Sequence, residues 1–372
     1  MPRTLELLCL LLVTAGMAVP SPARAAETAA TTSSALVYGD DSRAEARAES
    51  DPGLRELARK STVAIIPREA LVVESDAVFY DAPPLAEESA LCPGQPFEDQ
   101  PVLARCTGVL VMDDVVLTAG HCMDDENDCS GSWFVLDYTL DESGEVLIEP
   151  GNVFGCERVL ARELSSVGEP VVFDHALVKL DRPVLGRGTP VPVRGNAVEP
   201  GEALVLIGNG LGLPTKIDAQ GRAVLARSTQ ADYFGAEVDN FHRGSGSPIF
   251  DVWGLLVGIA VRGGVDFDGT GTCQFVRSVA SGTATMEQAS YAGTALIRSG
   301  YGDQVVTAPP PRATAAGASA QGCSFAGVHG APPIGLAASA FALLLLLGAR
   351  KRSRPPYRRV PSKGVKPCSM NA

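Results

Sequence analysis

Between Ser61 and about Tyr301 the chain is a succession of short apolar runs, each closed by Gly, Pro, Asp or Asn. Examples are Val63-Ala64-Ile65-Ile66, Gly108-Val109-Leu110-Val111, Val115-Val116-Leu117, Ala176-Leu177-Val178-Lys179-Leu180, Ala203-Leu204-Val205-Leu206-Ile207 and Leu255-Leu256-Val257-Gly258-Ile259. Many short strands at close spacing, punctuated by turn residues, predict an all-β antiparallel barrel or sandwich. Composition agrees: aromatic residues make up only 6% while there are 39 Gly and 27 Pro, which favours strands and turns over long helices. With 372 residues, 45% of them hydrophobic, the chain can bury a substantial core, which excludes wholesale disorder. The net charge of -12 hides an asymmetry, because eight of the 31 basic residues lie between Arg350 and Lys366, leaving 23 against 43 acidic residues elsewhere. A body so acidic does not suit phosphate neutralisation, so no nucleic-acid partner is expected.

The two ends differ from the middle. Arg3, the apolar run Leu7 to Val19 and Ala23-Arg24-Ala25 have the order of a secretory signal peptide over residues 1–25. Thirteen apolar residues fall short of the ~20 needed to span a bilayer. Residues 26–58 are rich in Ala, Ser, Thr and charge and read as a leader or pro-segment, with a short helix near Gly53 to Lys60. Residues 302–321, with Pro309-Pro310-Pro311, suit a linker. Residues 322–354 hold Gly322-Cys323, an apolar stretch from Ile334 to Leu347 and Arg350-Lys351-Arg352-Ser353-Arg354, and residues 355–372 form a basic tail. Basic residues after a hydrophobic span resist translocation, which predicts a cytoplasmic tail, an exported body and a membrane contact through the C-terminal segment. The Gly-Cys, apolar span and Arg-rich stop resemble a myxo-type C-terminal sorting signal, which implies display at the cell surface or outer envelope, with a released form also open. An ordinary single-span anchor is the competing reading.

Export makes disulfides admissible. Setting aside Cys9, Cys323 and Cys368 leaves Cys92, Cys106, Cys122, Cys129, Cys156 and Cys273, an even number that fits three bridges among fifteen pairings. A Cys106–Cys122 bridge would pin the His121 turn to the neighbouring strand. Cys129 with Cys156 is the preferred second pair, and Cys92 with Cys273 follows only by elimination. No Cys-x-x-Cys pair occurs among them, so no structural zinc site is expected. The acidic runs Asp124 to Asp128 and Asp266 to Asp268 lack the spacing of an EF-hand and read as solvated loops, so no metal is assigned.

Three motifs carry chemistry. Leu117-Thr118-Ala119-Gly120-His121-Cys122 resembles the Thr-Ala-Gly/Ala-His-Cys motif of the chymotrypsin-like serine proteases. Asp174-His175-Ala176-Leu177-Val178-Lys179-Leu180 resembles the segment that begins with that family's orienting carboxylate, with His175 a bystander. Gly244-Ser245-Gly246-Ser247-Pro248 resembles the nucleophile box of the glutamyl-endopeptidase-like branch. The order His121, Asp174, Ser245 is the chymotrypsin order and differs from those of subtilisins and α/β-hydrolases.

The resemblance covers roughly residues 60 to 300 and implies a double six-stranded antiparallel β-barrel over residues 59–301, barrel 1 about 59–185 and barrel 2 about 190–301. It implies Ser245 as nucleophile, His121 as general base and Asp174 as the group that holds the tautomer. It also implies an oxyanion hole from the N–H groups of Arg243 and Ser245. Arg243 stands where the family has Gly, and a side chain there works against the backbone angles that aim the N–H. Gly244 stands where trypsins carry Asp, so activation by a new N-terminal ion pair is not expected. Asp239, six residues before Ser245, falls where trypsins place the carboxylate of the substrate pocket, with Gly264 as a pocket wall; a turn carboxylate is the other reading of Asp239. The expected protein is therefore an exported, surface-anchored serine endopeptidase acting on protein or peptide substrates without a cofactor. The alternatives are a pseudoprotease that binds through the same fold, and a surface esterase using the same triad.

Overall fold

Burial along the strands alternates as two-residue periodicity requires. Val63 and Ile65 enter one apolar cluster, while their neighbours Ala64 and Ile66 enter another. The computed structural model describes residues 37–165, 173–226, 232–269, 271–283 and 285–306. Six strands form the first barrel: β1 (Thr62–Pro67), β2 (Cys106–Met112), β3 (Val115–Thr118), β4 (Ser132–Leu136), β5 (Val153–Leu164) and β6 (Asp174–Leu180). They close in the order β1-β2-β3-β6-β5-β4, every pair antiparallel. The second barrel comprises β7 (Ala203–Gly208), β8 (Lys216–Ala226), β9 (Tyr233–Glu237), β10 (Pro248–Asp251), β11 (Leu256–Arg262) and β12 (Glu287–Tyr291). Its closed order, β7-β8-β9-β12-β11-β10, repeats that of the first barrel. Two six-stranded antiparallel barrels of one topology are the chymotrypsin-like double barrel.

The barrels share apolar surface. Leu204 and Leu206 of β7 point into the second barrel with Phe234 and Ile249, whereas Val205 and Ile207 join the cluster that holds Val109, Leu117 and Phe134. A strand buried on both faces reads as a continuous apolar run, which explains the Ala203 to Ile207 sequence. A smaller cluster of Val37, Leu85, Leu91, Val102, Leu213 and Phe241 covers one end of the contact between barrels. The six cysteines among the described residues form Cys92–Cys273, Cys106–Cys122 and Cys129–Cys156.

The folded body starts earlier than the boundary at residue 59. Val37–Tyr38 pairs with Ser278–Val279, and Arg43–Glu45 pairs with Lys216–Asp218 of β8. A helix over Pro52–Lys60 starts at Asp51, whose carboxylate accepts the Gly53 and Leu54 N–H groups, and it buries Leu54 and Ala58 in the core. Residues 37–58 are therefore part of the protein body and not a loose leader. The expected signal segment, the linker beyond residue 306, the sorting segment and the basic tail lie outside the described residues. Among those described, no helix is long and apolar enough to cross a membrane.

Candidate active site

His121 sits in a single helical turn, Gly120–Cys122, directly after β3. Gly120 is required there, because a Cβ would lie 2.5 Å from the Glu163 carbonyl oxygen and 3.0 Å from the His175 nitrogen. That close approach lets Asp174, the first residue of β6, reach His121 twice: Oδ2 lies 2.9 Å from Nδ1, and Oδ1 accepts the His121 N–H at 3.1 Å. Asp174 is 1% exposed, whereas the His121 side chain keeps 36% of its surface open. The imidazole is thus held from the buried side and free on the other. Burial lowers the pKa of the neighbouring His175, which points into the body and forms no part of this contact.

Ser245 comes from the second barrel and docks on the first. Its carbonyl accepts the Thr107 N–H at 2.8 Å and lies 3.8 Å from Cys122 Sγ, beside the disulfide that follows His121. Gly246 has φ +86°, and a Cβ there would lie 1.9 Å from the Thr107 carbonyl oxygen, so no other residue fits this crossing. The Gly246 N–H donates to the Ala260 carbonyl at 2.7 Å and the Ala260 N–H to the Ser247 carbonyl at 2.9 Å, which ties the loop to β11. Among the described residues no hydrogen bond joins Ser245 Oγ to His121 Nε2.

Arg243 adopts the left-handed conformation usually left to glycine, with φ +68°. The His242 carbonyl accepts the Leu211 N–H at 2.6 Å, and the Gly244 N–H donates to the Phe241 carbonyl at 2.8 Å. Because C=O and N–H point to opposite sides of a trans peptide, this anchoring turns the Arg243 N–H away from Leu211. Among the described residues neither the Arg243 nor the Ser245 N–H has an acceptor. The side chain expected to spoil the turn runs outward to an ion pair with Glu88. Leu211, itself left-handed at φ +59°, carries no sequence signal that would have marked it.

Asp239 does not lie free at the bottom of a pocket. It is 3% exposed, its Oδ1 accepts the Tyr38 N–H at 2.8 Å, and its Oδ2 accepts the Ser42 N–H at 2.9 Å and lies 3.0 Å from Ser42 Oγ. The residue tethers the N-terminal segment, which removes it as the expected substrate-reading carboxylate. Burial, with the nearby Asp218 carboxylate, pushes its pKa up to about 6. Gly264 follows β11, beside Glu287, a buried residue that opens β12. Sequence reading missed Glu287.

A cation fits neither group that could suggest one. His121 lies close to Cys106 and Cys122, but the two sulfurs are bonded to each other and are not thiolate ligands. In the acidic loop, Asp125 caps the helix Glu126–Ser130, Asp128 pairs with Arg105 at 2.7 Å, and Asp124 pairs with Arg162.

Residues 106–259 match the family model of the trypsin-like peptidase domain. The matched segment carries His121, Asp174 and Ser245 and is similar to a trypsin-like peptidase domain. No curated protein sequence matches the chain. Among solved structures, it is similar to a Glu endopeptidase in complex with MPD, at 14% identity and a TM-score of 0.43, covering 72% of this chain and 99% of that one. It is also similar to kallikrein-related peptidase 10, at 20% identity and a TM-score of 0.35, covering 52% of this chain and 88% of that one.

Proposed function

We propose that the protein is an exported, surface-anchored serine endopeptidase that hydrolyses peptide bonds through an acyl-enzyme. The observation that carries this reading is the double contact of Asp174 with His121 beside the Ser245 turn. Asp174 keeps the proton on Nδ1, so Nε2 is the basic nitrogen that takes the Ser245 Oγ proton as the oxygen attacks the scissile carbonyl. The imidazolium so formed faces a buried carboxylate and then protonates the leaving amine. The Arg243 and Ser245 N–H groups, without an acceptor among the described residues, serve the oxyanion. Water then attacks the ester, with His121 again the base. The substrate is a protein or peptide, and membrane contact is made through the C-terminal segment, whose charge order supports export of the body.

The test is fluorophosphonate labelling of the purified protein, with the modified residue located by peptide mass mapping. Labelling of Ser245 that disappears in His121→Ala and Ser245→Ala is the expected result. A folded protein that stays unlabelled overturns the enzyme reading in favour of a binding module of the same fold.

A further inference from the structure

The hairpin formed by Leu71–Val73 and Val78–Tyr80 belongs to neither barrel, and among the described residues no other strand pairs with either arm. Each arm therefore keeps one open edge, where a further chain can add a strand. A groove of about 810 Å³ is lined by Val78 to Ala82 and by none of Leu71–Val73, so it follows the open edge of the second arm. Another wall is the loop from Asp141 to Ile148, in which the Asp141 carboxylate accepts the Ser143 and Glu145 N–H groups at 2.8 and 3.1 Å. Phe79, Pro84, Pro101 and Leu147 give the groove a partly exposed apolar lining.

The charge of the groove has one sign. Asp81, Asp99, Asp141 and Glu145 line it, and no Lys, Arg or His does. Asp141 is committed to its own turn, but the side chains of Asp81, Asp99 and Glu145 are exposed and form no ion pair or hydrogen bond among the described residues. Elsewhere on the body, acids such as Asp137, Glu157 and Glu163 have taken Arg or Lys partners. Uncommitted carboxylates around an apolar trough, beside an open strand edge, complement an extended peptide whose basic side chains alternate with apolar ones.

The groove adjoins the Ser245 loop by two links. Pro84 caps the helix Leu85–Glu88, whose Glu88 pairs with Arg243. The Pro101 and Gly212 carbonyl oxygens lie 3.3 and 3.1 Å from Tyr138 Oη, and Leu211, next to Gly212, fixes the His242 carbonyl. A polypeptide lying over Ser245 can thus reach the groove with a part of its own chain remote from the cleaved bond.

We infer that this groove docks a basic, extended segment of the polypeptide substrate, away from the scissile bond. This rests on the peptidase reading above. The segment adds a strand beside Val78–Tyr80, lays its apolar side chains on Phe79 and Leu147, and turns its Arg or Lys side chains toward Asp81, Asp99 and Glu145. Because these carboxylates are exposed, the pairs act chiefly on encounter and on KM, and salt weakens them.

The experiment uses the full chain and two fluorescein-labelled peptides of about ten residues, one alternating Val and Arg, the other Val and Glu. They are titrated by anisotropy into Ser245→Ala, which cannot cleave them. The Val/Arg peptide is expected to bind at least tenfold more tightly, an advantage that shrinks as salt rises from about 0.05 to about 0.5 M. The triple variant Asp81→Asn/Asp99→Asn/Glu145→Gln should lose it. Glu126→Gln/Glu199→Gln/Asp303→Asn, an equal charge change at other exposed positions, should keep it. A benzophenone in the Val/Arg peptide should crosslink to residues 78–84 or 141–148, located by mass mapping. In the kinetic arm, wild type cleaves a quenched peptide pool randomised around the cleaved bond and extended by either segment. The Val/Arg extension should lower KM about tenfold with kcat within about threefold, an effect absent from the groove variant. Equal binding of the two peptides, crosslinks elsewhere, or a preference that survives in the groove variant overturns the inference; circular dichroism verifies that this variant is folded. A tenfold gain in Val/Arg affinity when the eight basic residues between Arg350 and Lys366 are replaced by Gln also overturns it, by assigning the groove to the chain's own tail. A chain that fluorophosphonate leaves unlabelled refutes the peptidase reading and with it the substrate assignment, whereas a labelled enzyme indifferent to the two peptides overturns this inference alone.

Discussion

Arg243 holds a left-handed conformation that costs a non-glycine residue about 1–2 kcal/mol, and the bonds around it show what maintains that strain. The His242 carbonyl is fixed by Leu211 and the Gly244 N–H by Phe241, so the peptides on either side of Arg243 are both held, whatever the side chain. Arg243→Gly is therefore expected to change kcat less than about threefold, against the 10²- to 10³-fold loss that follows removal of an oxyanion donor. Stability should move by less than about 1 kcal/mol, because relief of strain is offset by the greater freedom of an unfolded glycine and by the half-exposed Glu88 pair. A tenfold or larger rise in kcat would show that the arginine does misaim the donor. Asp174→Asn should behave in the opposite way. An amide facing His121 Nδ1 can donate there, which leaves the proton on Nε2 and removes the base; kcat should fall about 10⁴-fold with the Tm little changed, in steady-state kinetics against a chromogenic peptide.

The segment from Val37 to Ala46 works as one element through its backbone and a single arginine. Arg43 lies 3.9 Å from the Phe241 ring centre and 4.9 Å from that of Phe97, and Ser42 Oγ sits between two acids, 2.6 Å from Asp218 Oδ1 and 3.0 Å from Asp239 Oδ2. One hydroxyl has one proton to give, so the arrangement is complete when Ser42 donates to Asp218 and a protonated Asp239 donates to Ser42. This agrees with the rise of the Asp239 pKa to about 6, caused first by burial and then by Asp218. In the unfolded chain Asp239 ionises near its ordinary value of 3.8, so between that pH and about 6 the folded state holds the extra proton. Stability then falls with rising pH across this window, and above it the ionised carboxylate costs about 3 kcal/mol. Asp239→Asn should accordingly raise the Tm at pH 7.5 and not at pH 4.5, measured by differential scanning calorimetry; equal effects at both would show that the carboxylate charge is not what matters. Little of this element is legible in sequence. Residues 26–58 contain few large apolar side chains, and their partners lie about 170 to 200 positions away, beyond any local pattern. The motifs around His121, Asp174 and Ser245 are legible for the opposite reason: close backbone approaches at Gly120 and Gly246 dictate residue types that stand beside the functional side chain in the sequence itself. Glu287 escapes notice because its environment is assembled from Tyr38, Asn240 and Gly263, three separate parts of the chain.

At the scale of the whole molecule, the site exists only while the two barrels keep their relation, since His121 and Asp174 belong to one and Ser245 to the other. Among the contacts that maintain it are the apolar cluster that includes Val109 and Val205, the smaller cluster around Leu213 and Phe241, and the Cys92–Cys273 bridge. The bridge closes a separation of 181 residues and is flanked by backbone bonds from Cys92 N–H to the Gln274 carbonyl and from the Gln274 N–H to the Ala90 carbonyl. Chain-entropy reasoning assigns a bridge over so long a loop about 2–5 kcal/mol, acting mainly on the unfolded state. Replacing both cysteines by serine should therefore lower the urea midpoint without splitting the transition, because the larger cluster crosses between barrels and couples their unfolding. Fluorophosphonate labelling of the folded variant should proceed at nearly the wild-type rate, since the Thr107–Ser245 bond and the Gly246 crossing hold Ser245 locally. Two separate unfolding transitions, read by tryptophan fluorescence and circular dichroism together, would mean that the bridge and not the shared apolar surface makes the two barrels one cooperative unit.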